Sequence, residues 1–210
     1  LLAVRRNKTA ITMNEIDEAH DRVLMGPAKT SRKITDKEKK LVSLHEAGHA
    51  IVSAVVRPNV KNLGISIIPR GNAGGYNSFD ETDSRYLRKT DMLNQMKLLY
   101  GGRVAEEVIL GDISTGASND LERASNMAYL MVTKYAMDSS YMVKTYVNSK
   151  DFGSKHMESA ELICSEVYDE VHRLVTEHKE EILKLAELLM EKEYLSQEEV
   201  SAFLKRNINL

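Results

Sequence analysis

The sequence predicts a mainly α-helical domain with one small β element. Apolar residues recur at helical spacing over most of the chain. The clear change of period falls at Ile65, Ile67 and Ile68, which are β-branched and bounded by Gly64 and Pro69. No internal repeat or low-complexity tract interrupts this pattern, and 42% hydrophobic with 29% charged residues is ordinary for a packed soluble domain.

Taken in order, Thr12 and Glu15 form a capping box, Ile16, Ala19, Val23 and Leu24 make a stripe, and Gly26-Pro27 stops that helix. A polar stretch then reads as a linker. Thr35 and Glu38 open a second helix through Leu41, Leu44, Ala47, Ile51, Val52 and Val55, ended before Pro58. The β-branched run follows as a short strand, "GNAGGY" as a turn, and Tyr76 to Phe79 as a hairpin partner. The strand could be a core strand or a sheet edge that holds an extended peptide.

Thr90 is the expected cap of a third helix through Leu93, Met96, Leu99, Val104, Ala105 and Val108. Gly101-Gly102 in its middle costs roughly 1 kcal/mol per glycine, which predicts another element packed very close. "GDISTGASND" is a loop, and a helix follows from about Asp120 to Tyr135. A long amphipathic helix is expected from about Glu158 to Glu191, and Ser196 with Glu199 caps a short last one.

Composition excludes several classes. The net charge of −2 and the absence of a basic stripe argue against a nucleic-acid partner. The single cysteine, Cys164, excludes an internal disulfide and a cysteine-built zinc site, and fits a reducing compartment. No run reaches the length of a membrane span. The chain opens on "LLAVRR", mid-helix and without Met, which reads as a piece of a longer protein.

The chemistry concentrates at His45-Glu46-Ala47-Gly48-His49, an H-E-x-x-H pattern inside the second helix. Residues four apart on a helix lie about 400° apart, so both imidazoles share a face and can reach one metal. Glu46 points beside that pair, placed to take a proton from a zinc-bound water attacking a peptide carbonyl. A catalytic zinc needs a third protein ligand. His20, His156, His172 and His178 read as structural residues, and position 55 is valine, so the longer three-histidine motif is absent. Carboxylates remain: Glu106, Glu107 or Asp120. Spacing alone leaves Glu106 and Asp120 both open.

"HEAGHA", "IIPRG", "GGRVAEE" and "STGASNDLERAS", in this order, resemble the peptidase domain of the FtsH-type membrane-anchored AAA+ zinc metalloproteases. The resemblance extends over nearly the whole chain. It implies residues 1–28 as the end of the ATPase module's helical lid, 29–34 as a linker and 35–207 as a helical zinc peptidase domain. It implies zinc held by His45, His49 and Asp120, Glu46 as catalytic base, and Glu106 orienting a ligand. Thr115 and Gly116, with Ser114, are expected beside the cleft.

For the full-length protein the resemblance implies ATP and Mg2+, a homo-hexameric ring, an upstream membrane anchor, and unfolded or membrane proteins as substrates. The peptidase domain would face the cytoplasm, at a bacterial plasma membrane or an organelle inner membrane. Three departures stand out: Ala136 where the family commonly has glycine, Cys164 where an acidic residue is usual, and an unfamiliar segment 138–155. A non-proteolytic assembly module with a vestigial site is the alternative from another class, and the complete ligand and base set argues against it.

Overall fold

A computed structural model describes residues 1–5, 7–12, 15–16, 18–19, 22–23, 26–27, 34–71, 73–80, 86–138 and 154–208. The expected linker at 29–34 falls almost wholly outside these residues. So do His20 and most of the unfamiliar segment 138–155.

After a single helical turn at Leu2–Arg5, the elements are α1 (Asp36–Val56), β1 (Asn62–Ser66), β2 (Tyr76–Phe79), α2 (Lys89–Leu110), a 3-10 turn (Thr115–Ala117), α3 (Ser118–Thr133), α4 (Ser154–Glu177), α5 (Lys179–Lys192), β3 (Tyr194–Ser196) and α6 (Gln197–Asn207). The mainly helical expectation holds. In the N-terminal stretch, the Thr12 N–H donates to Glu15 Oε2 at 3.2 Å, one of the two bonds a capping box predicts. That stretch is tied to the body by buried Arg70, which donates to Glu18 Oε2 at 2.5 Å.

Helix α1 is the centre of the fold. The Thr35 hydroxyl accepts the Glu38 N–H and starts it. From Ser43 to Ala54 nearly every residue is buried, glycine, serines and charged groups included. A helix covered on all sides belongs inside a domain, and α1 packs against α2 on one flank and α5 on another. Leu44, Ala47, Ile51 and Val52 join Met96, Leu99 and Val104 of α2 and Ile182, Leu185 and Leu189 of α5 in one core. Ile163, Val167, Val171 and Val175 close it from α4.

Contact between α1 and α2 is backbone to backbone. A Cβ on Gly48 would stand 2.4 Å from the Gly101 carbonyl oxygen and 2.6 Å from the Ala105 Cβ. The predicted close approach at Gly101-Gly102 is therefore met, and its partner is the H-E-x-x-H helix.

The sheet has the order β2-β1-β3, with both pairings antiparallel. Ile65 pairs Asn77 on one side and Leu195 on the other. The strand near Ile65 is thus central and belongs to the core, not to a peptide-holding edge; among the described strands β2 is an edge. Strand β3 was not expected, because three residues are too few for periodicity to register. The end of α5 brings them beside β1.

Two other boundaries differ. Helix α2 starts at Lys89, capped by Arg88, whose N–H donates to the Asp91 carboxylate at 2.9 Å. Thr90 therefore lies within the first turn. The expected helix from Glu158 to Glu191 is two helices that meet at His178. Val175 and Ile182 are seven apart, a spacing a straight helix also satisfies, so the apolar stripe hides the joint. The joint lets α4 lie on α2 and α3 while α5 lies on α1.

Ala136, where the resemblance leads to an expectation of glycine, has φ +50°. A Cβ in the left-handed region costs about 1–2 kcal/mol, so glycine would suit this turn better than alanine. Ala136→Gly should stabilise the protein by about 1 kcal/mol. Gly48→Ala should destabilise it by about 3 kcal/mol or more, since backbone, not a flexible side chain, blocks the new methyl. Thermal or denaturant unfolding of both variants measures this; an unchanged Gly48→Ala protein would mean that the α1–α2 crossing is looser than described.

Candidate metal centre

Helix α1 offers His45 and His49 from one face and Glu46 from the next. Asp120 comes from the first turn of α3, which follows directly on a 3-10 turn capped by the Ser114 side chain. Its Oδ2 lies 3.4 Å from His45 Nε2 and 3.3 Å from His49 Nε2, and the two Nε2 atoms are 3.0 Å apart. Among the described residues these three form a metal-capable group.

Each imidazole is held through its other nitrogen. His49 Nδ1 lies 2.7 Å from the Leu98 carbonyl, which can only accept, so this nitrogen carries hydrogen. His45 Nδ1 lies 2.7 Å from Glu106 Oε1. Glu106 is buried; burial opposes its charge, but His45 and the Ser114 N–H on its Oε2 outweigh this and hold its carboxyl below the usual range. Both Nδ1 atoms are thus donors, which leaves both Nε2 lone pairs facing one point.

Two lone pairs 3.0 Å apart need a cation between them. A tetrahedral zinc with bonds of about 2.0–2.1 Å has ligand–ligand edges of about 3.3–3.4 Å. The observed spacings of 3.0, 3.3 and 3.4 Å fit that ion. Without metal a proton serves. Burial disfavours charge on His45, but Asp120, Glu106 and Glu46 overcome it and push its pKa up to about 10. Burial likewise opposes the Asp120 carboxylate, and the two histidines hold its pKa far below the ordinary value.

Glu46 is buried beside this group. Burial raises its pKa, against the opposing pull of His45, His49 and Asn77. Gly102 makes the space for the rings: a Cβ there would stand 2.6 Å from His49 Nε2 and from His45 Cε1. The group opens into a cleft of about 1000 Å³ that β2 flanks through Tyr76, Asn77 and Phe79.

The structure brings His45, Glu46, His49, Glu106 and Asp120 to one place. Gly116 lines the cleft; Thr115 is not among its lining residues. His156 is buried in α4, His172 is exposed, and His178 lies 3.9 Å from Glu181, all apart from the group. Sequence reasoning missed the Leu98 carbonyl, which no residue type announces, and Asn77, a polar residue in a short strand without a motif.

A helical domain in which two imidazoles of the central helix and a carboxylate of α3 converge on one ion-sized point, on an open cleft, has the layout of a metallohydrolase. The model for peptidase family M41 matches residues 32–203, and the chain belongs to that family. It is similar to the ATP-dependent zinc metalloprotease FtsH 1 of Thermoanaerobacter sp. (strain X514), at 41% identity over 95% of this chain and 36% of the relative. FtsH of Syntrophobacter fumaroxidans, likewise named an ATP-dependent zinc metalloprotease, is 39% identical over 97% of this chain and 34% of its own length. FtsH 3 of Phytoplasma mali is 40% identical over 95% of this chain and 33% of its own. The chain thus spans about a third of these curated relatives.

The charge pattern generates a prediction about metal uptake. With a pKa of about 10, His45 is protonated at neutral pH in the metal-free protein, and an arriving ion must displace its Nε2 proton. Zinc binding should therefore release protons at neutral pH, weaken as pH falls, and strengthen as pH rises toward 10. Calorimetry in two buffers of different ionisation heat reads this; identical heats would show that His45 is not protonated before zinc binds.

Proposed function

We propose that this chain is the peptidase domain of an ATP-dependent, membrane-anchored zinc endopeptidase, with zinc held by His45, His49 and Asp120 and Glu46 as the base. The observation that carries the reading is the convergence of three ligand atoms, with both Nδ1 atoms already committed to Glu106 and Leu98. Zinc bound there supplies Lewis acidity that polarises a peptide carbonyl and acidifies water.

The residues of the chain do the rest. Glu46 accepts the proton of the attacking water and returns it to the leaving nitrogen. Its burial suits this cycle, because a carboxylate with a raised pKa holds a proton long enough to pass it on. Glu106 keeps the His45 ring in its ligating orientation. The cleft wall at β2 receives an extended peptide by main-chain pairing, as sheet edges do.

Residues 1–28 are assigned to the end of an ATPase lid, 29–34 to a linker and 35–207 to the peptidase. The family match beginning at residue 32 supports that division. In the full-length protein ATP hydrolysis in a hexameric ring would unfold membrane or misfolded proteins and feed them to the zinc sites. No helix among the described residues is long and apolar enough to cross a membrane.

In the full-length protein, Glu46→Gln should keep stoichiometric zinc and lose proteolysis by about 10²–10⁴-fold. Full activity of that variant would refute Glu46 as base. Asp120→Asn should lower zinc occupancy, measured by elemental analysis; normal occupancy and turnover would move the third ligand elsewhere.

A further inference from the structure

Asn77 of β2 plays no part in the scheme above, yet it joins the base to the sheet. Its Nδ2 donates to Glu46 Oε2 at 2.7 Å and to the Glu46 main-chain oxygen at 3.0 Å. Its Oδ1 accepts from Asn62 Nδ2 at 2.8 Å. Asn62, buried in β1, accepts the Gly64 N–H on its own Oδ1 at 2.9 Å.

A side-chain amide can face either way, but this pair has one consistent arrangement. The Gly64 N–H can only donate, so the Asn62 oxygen must face it. Asn62 then presents its NH2 to Asn77, whose oxygen must turn toward Asn62 and whose NH2 must turn toward Glu46. Flipping either amide sets donor against donor and acceptor against acceptor. The backbone of β1 thereby dictates, two side chains away, that hydrogen points at the base.

The geometry points to Asn77, oriented by Asn62, as a positioning residue for the base: it occupies Glu46 Oε2 and leaves Oε1 as the oxygen that exchanges the proton. This rests on the reading of Glu46 as base. The environment of Oε1 agrees with the division of labour. Oε1 faces Gly75, where a Cβ would come within 2.8 Å of it and 2.7 Å from the Ser66 carbonyl oxygen. One carboxylate oxygen is clamped, and the absence of a side chain keeps the other clear. Because Asn77 sits in the strand assigned to peptide pairing, the same bond sets the distance between the substrate backbone and the base.

The plain alternative is that the two asparagines only staple β2 to β1 and α1. Asn62→Asp, read in kcat and Tm together, separates the two. The new carboxylate still accepts the Gly64 N–H, but it cannot donate, so Asn77 must turn its NH2 toward residue 62 and its oxygen toward Glu46. The link from β2 to β1 survives as a charge-assisted bond, whereas both bonds to Glu46, at Oε2 and at its main-chain oxygen, are lost. In the full-length protein with ATP, cleaving a quenched fluorescent peptide, Asn62→Asp should lower kcat by about 10–100-fold with KM within about twofold and zinc content unchanged, whereas a mere staple would lower Tm and leave the kcat of the folded protein as it was. Asn77→Leu, of the same branching, should lower kcat similarly and serves if the aspartate variant unfolds. Wild-type kcat in either folded variant, or a loss explained by KM or zinc, overturns the inference. Such a result beside an inactive Glu46→Gln protein leaves the base in place; an active Glu46→Gln protein removes both.

Discussion

The crossing of α1 and α2 at Gly48 and Gly101 is the contact on which the site depends. With no side chain between them, the two backbones come close enough for a carbonyl of α2, at Leu98, and a carboxylate of α2, at Glu106, to reach the imidazoles of α1. Gly102, one residue on, leaves room for the rings themselves. A methyl group at this crossing would push the helices apart and move both acceptors away from His45 and His49. Packing and chemistry therefore meet in three glycines that each lower helix propensity, and the core of α1, α2 and α5 offsets that cost by burial.

Burial then sets the electrostatics. Glu46, Glu106 and the two histidines lie in or near a closed interior, where isolated charge is unfavourable. Three carboxylates around two imidazoles make a site that is short of positive charge. His45 meets the deficit by holding a proton well above its ordinary range, and a divalent cation meets it better. The strain on Glu46 has the opposite sense: burial pushes it toward the protonated form, which suits the role of base proposed for it.

Much of this was legible beforehand because it is local. Caps at Thr35 and Ser196, the glycine pair, the β-branched run and the H-E-x-x-H spacing each depend on residues within one turn or strand. What was illegible is relational. The break at His178 disappears in a stripe whose spacing suits either a straight or a jointed helix. Strand β3 forms because α5 ends beside β1, not because "YLS" prefers extension. The cap of α2 passes from Thr90 to Arg88 because the Arg88–Asp91 pair, three residues apart, closes the first turn instead.

The sequence by itself determined the metallopeptidase chemistry, since a fixed helical repeat puts His45 and His49 on one face whatever surrounds them, with Glu46 beside them. Spacing alone left Glu106 and Asp120 both open, because nothing local distinguishes two carboxylates that lie dozens of residues from the motif, and only the family resemblance pointed to Asp120. Tertiary structure separates them by atom: Glu106 meets the Nδ1 of His45, while Asp120 faces the Nε2 atoms of both histidines. It also decided which strand borders the cleft and which way the Asn77 amide points, because both follow from what β1 pairs with on its two sides.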